Sequence, residues 1–304
     1  MNVTALLNSL PGSIAQGLIW GIMALGVYIS YKLLDYADLT VDGSLCTGGA
    51  VAAVCIINGV DPWIAIILAT LAGMLAGVIT GVLHTALGIP AILSGILTQL
   101  ALYSINMRIM GKANITVSVT EYDLIVSLRY ISKSIIIGFI FIAVLVALMY
   151  WFFGTELGCA IRATGNNPNM ARAQGINTNV IKVLGLTLSN GLVGLAGALY
   201  TQYQGNADIN MGRGAIVIGL ASVIIGEVII GTKASFAVKL SSVALGSIIY
   251  YIVIAVVLQL GLSTTDLKLF SAVTVAVFLS IPYIKSNYLG KRVKAGDKGG
   301  KANA

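Results

Sequence analysis

The chain has 304 residues, 58% of them hydrophobic and only 10% charged, whereas a soluble domain carries about 25% charged residues. A mean hydropathy of +0.95 and recurring apolar runs of about 20 residues, the length that crosses a hydrocarbon core of about 30 Å, exclude a soluble globule and point to an all-α polytopic membrane bundle. The net charge of +7 comes from Lys and Arg flanking the apolar runs rather than forming one stripe, which suits anionic lipid at one face and excludes a nucleic-acid surface.

In chain order, the start MNVTALLNSLPGSIAQG has no basic region, and the apolar run that follows is too long for a signal core, so no targeting peptide is expected. Apolar segments fall at about 13–34, 40–58, 62–86, 89–110, 134–153, 179–203, 212–231, 235–260 and 266–284. The second and seventh are weak and rich in Gly and Ser, and both are expected to be broken or re-entrant. The bundle therefore has eight to ten segments. Small-residue stripes occur at Gly17 and Gly21, at Gly73, Gly77 and Gly81, and at Gly191, Gly194 and Gly197. They let neighbouring helices approach closely, and packing within the chain is favoured over a dimer seam. The loop 111–133 alternates β-branched residues and suggests a short extended piece or an amphipathic surface element.

Few residues carry chemistry. Cys46, Cys55 and Cys159 show no metal or disulfide spacing and read as small packing residues. His84, the sole histidine, reads as a hydrogen-bonded interface residue. GEVIIGTKAS, from Gly226 to Ser235, lacks the Lys that a phosphate-binding loop needs directly after its second Gly. No catalytic constellation is visible, so no enzyme activity and no resident cofactor or metal are expected.

Charges at membrane depth are costly, and Asp42 and Glu227 are the candidates. Asp42 reads first as an N-cap of the run that follows it, while its segment, with Ser44 and Thr47, reads as lining a path. Glu227 reads first as a structural ion-pair partner of Lys233 or Lys239. Thr98, Gln99, Asn106, Asn190 and Gln202 suit either hydrogen bonding to a small polar solute or bonds between helices.

Between the fifth and sixth segments lies a polar island, ELGCAIRATGNNPNMARAQGINTN, from Glu156 to Asn179. Asn167 as N-cap, Pro168 as first helical residue and Gly175 just past the end predict a short helix over NMARAQ flanked by loops. If the island is cytoplasmic, alternating segments place 12 of the 18 Lys and Arg on that side and 6 on the other, which satisfies the positive-inside bias. The basic tail 285–304 then also lies in the cytoplasm, flexible, beyond a single domain spanning 1–284.

The island resembles the cytoplasmic coupling loop of ABC importer permeases of the branched-chain amino acid and ribose type, through Arg162-Ala163, Gly165-Asn166, Ala171 and Gly175-Ile176. ADLTVDGSLCTGGAVAA, GLASVIIGEVIIG and the overall length extend the similarity over most of the chain. Within that family the chain looks most similar to a bacterial group linked to uptake of amino acids, including aromatic ones. The resemblance implies a compact importer permease in the bacterial inner membrane, paired with a second copy as a homodimer. It implies an ATP-binding cassette subunit, carrying ATP and magnesium, docked on loop 155–178 through Arg162, Asn166, Asn167, Pro168, Ala171, Arg172 and Gly175. It implies a solute-binding protein on the opposite face. An ion-gradient-driven transporter, a sugar or nucleoside importer, and a receptor or assembly factor remain as alternatives.

Overall fold

The structure, a computed structural model, describes residues 3–231 and 234–259, with 269, 272–277 and 280. Among them are helices α1 (Val3–Val27), α2 (Thr40–Ile57), α3 (Pro62–Thr85), α4 (Ala91–Met110), α5 (Ile131–Phe153), α6 (Glu156–Asn166), α7 (Pro168–Ala173), α8 (Thr178–Gln204), α9 (Ala215–Ile230) and α10 (Phe236–Gln259). Two three-residue strands, β1 (Asn114–Thr116) and β2 (Asn206–Asp208), pair antiparallel. Helix α1 continues into a π-helical turn, Tyr28–Leu33. Among the described residues, six stretches are long and apolar enough to cross a membrane, and α4 and α9 pack with them. The ninth predicted segment is described only at 269, 272–277 and 280, and the tail 285–304 lies outside the described residues.

Helix α8 is the hub, packing on α1, α2 and α3. Its seam with α3 is built from the glycine stripes. A Cβ at Gly73 would meet the Asn190 carbonyl oxygen, one at Gly77 the Leu186 carbonyl oxygen, and one at Gly194 the Ala69 carbonyl oxygen at 2.7 Å. Gly197 lies in the same way against the Leu45 backbone of α2, and Gly17 against the backbone of Ile248 in α10. These contacts make the stripes intramolecular packing surfaces. Where lipid tails remove the hydrophobic drive between helices, close backbone approach and polar contacts hold the bundle.

The two weak segments differ from each other. Helix α2 is continuous over its 18 residues, which corrects the expected break. Its low apolarity reflects its place inside the bundle, where 72% of the span is buried and small residues admit its neighbours. The seventh segment is shortened, with 16 helical residues in α9. After β2 the chain runs without helix through 209–214, placing Gly212 against the Asp42 carbonyl and the Cys46 sulfur. Gly43, one residue on, faces Gln99 and Leu102, halfway along α4. Helix α9 therefore starts at the mid-level of the bundle and runs to the end that carries α6 and α7.

At the opposite end, β1 and β2 tie loop 111–133 to the end of α8. Val117 N–H donates to the Gly205 carbonyl at 2.8 Å, and Ile125 N–H to Gln202 Oε1 at 3.1 Å. The extended piece expected in that loop is β1.

Gly77→Ala would force the α3 and α8 backbones apart and is expected to destabilise the chain by about 1–3 kcal/mol, the usual range for overpacking. The measurement is the thermal midpoint of the detergent-solubilised protein, and an unchanged midpoint would show that the α3–α8 seam tolerates separation.

Candidate functional site

A buried polar seam joins α2, α3, α4 and α8. At its centre is Asp38, 1% exposed, in the connection between the π-helical turn and α2. Its Oδ1 accepts from Thr40 N–H at 2.9 Å, and its Oδ2 from Asn190 Nδ2 at 2.7 Å. Asn190 Oδ1 accepts from Ser44 Oγ at 2.6 Å. The hydroxyls of Thr40 and Thr80 bond at 2.7 Å, Thr80 donates to Thr98 at 2.9 Å, and Thr98 donates to the Ser94 carbonyl at 3.0 Å. The Tyr36 and Ser94 hydroxyls close the seam at 2.7 Å.

Of the two roles open to the candidate path residues, the seam gives several of them the interhelical one. Ser44, Thr98 and Asn190 do come together, but as mutually bonded interhelical contacts. Thr47 donates to the Gly43 carbonyl of its own helix at 2.9 Å, and Gln202 pins loop 111–133. Buried polar groups in a bundle are held by such partners. Asp38 was not singled out from the sequence, although an Asp that bonds the backbone two residues on is a recognisable local signal.

Asp42 is the third residue of α2, inside the helix, and does not cap the run that follows it; the Thr40 N–H at the start of α2 is taken by Asp38. Asp42 caps α9 instead: Gly214 N–H donates to Oδ2 at 2.9 Å and Ile216 N–H to Oδ1 at 3.0 Å. The first N–H groups of a helix have no partner inside it, and no backbone group can stay unpaired at membrane depth. A carboxylate at the positive end of the α9 dipole meets both needs.

At the other end of α9, Glu227 pairs with Lys32 of the π-helical turn at 2.8 Å. The expected ion pair forms, but Lys32 replaces Lys239, and Lys233 lies outside the described residues. With side chains 47% and 31% exposed, the pair contributes modestly. His84 is bonded as expected, with Nδ1 2.8 Å from the Ile89 carbonyl and Nε2 3.3 Å from Lys182 Nζ.

Beside Asp42 opens a cleft of about 280 Å³, lined by Asp42, Cys46, Gln99, Tyr103, Asn106 and Arg213 among others. Gln99 and Asn106 are thus the two predicted path residues that line the cleft. Asn106 is 1% exposed, and neither its Nδ2 nor its Oδ1 has a hydrogen-bond partner. Arg213 was missed because only the 209–214 descent brings it to this level.

The island holds two helices where one was expected. Asn167 Oδ1 accepts from Asn169 and Met170 N–H at 3.1 and 3.0 Å, Pro168 is the first helical residue, and Gly175 takes φ +81°. The predicted caps therefore lie at the ends of α7. Before it, α6 carries Arg162 and Asn166 and is capped by Thr155 Oγ1, which accepts from Gly158 N–H at 3.4 Å. Thr155-Glu156 is an N-terminal signal that the sequence displayed. Gly165 sits against the Leu33 carbonyl and the Leu34 backbone, so α6 is seated on the π-helical turn. The Arg162 guanidinium lies 5.6 Å from the Phe236 ring centroid, and Arg172 Nε donates to Thr178 Oγ1 at 2.9 Å. Ala171 is fully buried, which corrects its place among contact residues: it anchors α7 inward. The outward face offers Met170, 46% exposed, beside Asn166, Asn167 and Gly175, which are also exposed.

Comparison with known proteins gives the setting. A family described as branched-chain amino acid transport system / permease component matches residues 9–282. The tyrosine transport system permease protein of Clostridioides difficile (strain R20291) is 40% identical over 269 residues, covering 87% of this chain and 88% of that protein. The ribose import permease protein RbsC of Escherichia coli (strain K12) is 26% identical over 227 residues, covering 72% and 69%. Among solved structures, PsaBC from Streptococcus pneumoniae in complex with Fab shares the fold, with a TM-score of 0.54 at 14% identity, covering 93% of this chain and 99% of that one.

Asp42→Ala would orphan the Gly214 and Ile216 N–H groups and is expected to cost about 1–3 kcal/mol for each, with Asp42→Asn recovering part of the loss. A thermal midpoint unmoved by Asp42→Ala would show that α9 starts without this acceptor.

Proposed function

The chain belongs to the branched-chain amino acid transport system / permease component family, and from that premise we propose that it forms the membrane path of an ATP-driven importer for an amino acid. As a permease of this family it is a multi-pass component of the bacterial inner membrane and a transport subunit, not an enzyme. The observation that carries the amino acid reading is the 40% identity, over 87% of the chain, to a tyrosine transport permease. Similarity to a ribose permease is lower, at 26%.

In this reading ATP and magnesium belong to a separate ATP-binding cassette subunit docked at the α6–α7 end, on the cytoplasmic face. A solute-binding protein meets the β1–β2 end. A second copy closes the path, because the Asp42–Arg213 cleft opens at the bundle surface, where lipid is a costly neighbour for charge.

The packing supplies a mechanical route. Helix α7 presents Met170 outward and is anchored inward through Ala171 and Arg172. Helix α6 sits on the π-helical turn through Gly165. That turn is tied to α9 by Lys32–Glu227, and the far end of α9 is held by Asp42 at the cleft. If the ATP-binding subunit contacts α7 differently in its open and closed states, the difference biases the position of α9. An ion-coupled carrier is disfavoured, because among the described residues the fully buried carboxylate, Asp38, is closed off by structural hydrogen bonds, and Glu227 is paired with Lys32.

The test is reconstitution of the chain with its ATP-binding subunit and binding protein in proteoliposomes. ATP-dependent uptake of radiolabelled L-tyrosine is expected. Uptake driven by an ion gradient without ATP would overturn the mechanism, and uptake of D-ribose in place of tyrosine would overturn the solute class. Met170→Glu is expected to lower uptake about ten-fold or more, the effect of a charge placed in a hot spot of an interface, without moving the thermal midpoint.

A further inference from the structure

The Asp42 cleft has features that packing alone does not explain. Asn106 is buried with both amide atoms unpartnered, although each such orphan is unfavourable in a bundle interior. It shares one face of α4 with Gln99 and Tyr103, at a spacing of four and then three residues, and all three line the same cavity. Across it, the 209–214 descent delivers Arg213. The Arg213 side chain makes no hydrogen bond or ion pair among the described residues. Asp42 faces the same space, and each of its oxygens accepts one backbone N–H, leaving further lone pairs open.

The cleft thus sets the Arg213 cation, unpaired among the described residues, and the Asp42 carboxylate around about 280 Å³, with two carboxamides and a phenol also lining it. A neutral sugar needs donors and acceptors but neither charge. A solute carrying both charges on one carbon finds a partner for each.

We propose that this cleft reads the two charged ends of a zwitterionic amino acid, Arg213 taking the carboxylate and Asn106 Oδ1 with Asp42 taking the ammonium. Gln99 and Tyr103 complete the hydrogen bonding. The proposal rests on the amino acid reading above and adds that the permease itself recognises the solute. Arg213 pairs with a carboxylate through two parallel N–H···O bonds, which gives orientation as well as attraction.

The experiment is import of radiolabelled L-tyrosine and L-phenylalanine by the assembled complex in proteoliposomes. Arg213→Gln is expected to lower the import rate about ten-fold or more, the loss that follows from removing a charged hydrogen bond, and Arg213→Lys to restore part of it. Asn106→Leu and Tyr103→Phe are expected to raise the half-saturating solute concentration. Phe139→Leu, on the outer face of α5 and away from both ends of the bundle, is the control and is expected to import at the unaltered rate. Import by Arg213→Gln at the unaltered rate overturns the proposal while the importer reading stands. If Arg213→Gln does not assemble, Tyr103→Phe decides, since it removes one hydroxyl from an exposed side chain, and unaltered import by it overturns the proposal. An unaltered complex that imports neither amino acid overturns the amino acid reading and this proposal together.

Discussion

A helix that begins inside a membrane bundle must give its free N–H groups to an acceptor that the bundle itself carries. Helix α9 begins that way, and Asp42 is the acceptor. Much of the interior follows from this contact. The chain between β2 and α9 has to descend along α2, with Gly212 against the Asp42 backbone and Cys46. The descent opens a cleft that α2 and α4 alone would not make. A carboxylate is affordable there because the backbone of α9 meets it with oriented N–H groups, in place of the water it would otherwise need.

The contact holds because α2 and α8 are themselves immobilised. Asn190 shows how polar and steric constraints converge at one level. Its side chain bridges Asp38 and Ser44, and its carbonyl lies where a Cβ on Gly73 would have to go. Neither contact draws on hydrophobic burial, which cannot distinguish a neighbouring helix from a lipid tail. Close packing brings the helices together, and the hydrogen bonds fix their register. The resulting frame is stiff around the seam and lightly tied at the Lys32–Glu227 end, where the partners are partly exposed.

Local features were legible in the sequence. Apolar runs gave the helices, the glycine stripes gave faces of close packing without their partners, and Asn167, Pro168 and Gly175 gave both ends of α7. Each depends on residues a few positions apart. What stayed hidden depends on distant partners. Asp42 looked like a cap and is one, but for a helix starting about 170 residues later. Ser44, Thr98 and Asn190 looked like path residues because polarity in a span does not reveal whether a neighbour satisfies it. Ala171 and Met170 share a short helix, and only packing shows which of them faces inward. Helix α6 was overlooked although Thr155 and Glu156 marked its start, because it is short and far less apolar than the spans on either side of it.

The polar island is two capped helices seated on the end of α1, whose Lys32 ties it to the end of α9 through Glu227. Its part in energy transfer depends on what touches its outward face. The direct measurement is photocrosslinking from a photoreactive amino acid at position 170, in membranes containing the whole transport system. An adduct with the ATP-binding cassette subunit, changing in yield between nucleotide-free and ATP-bound states, is the predicted result. An adduct with the solute-binding protein instead, or a yield indifferent to nucleotide, would contradict it.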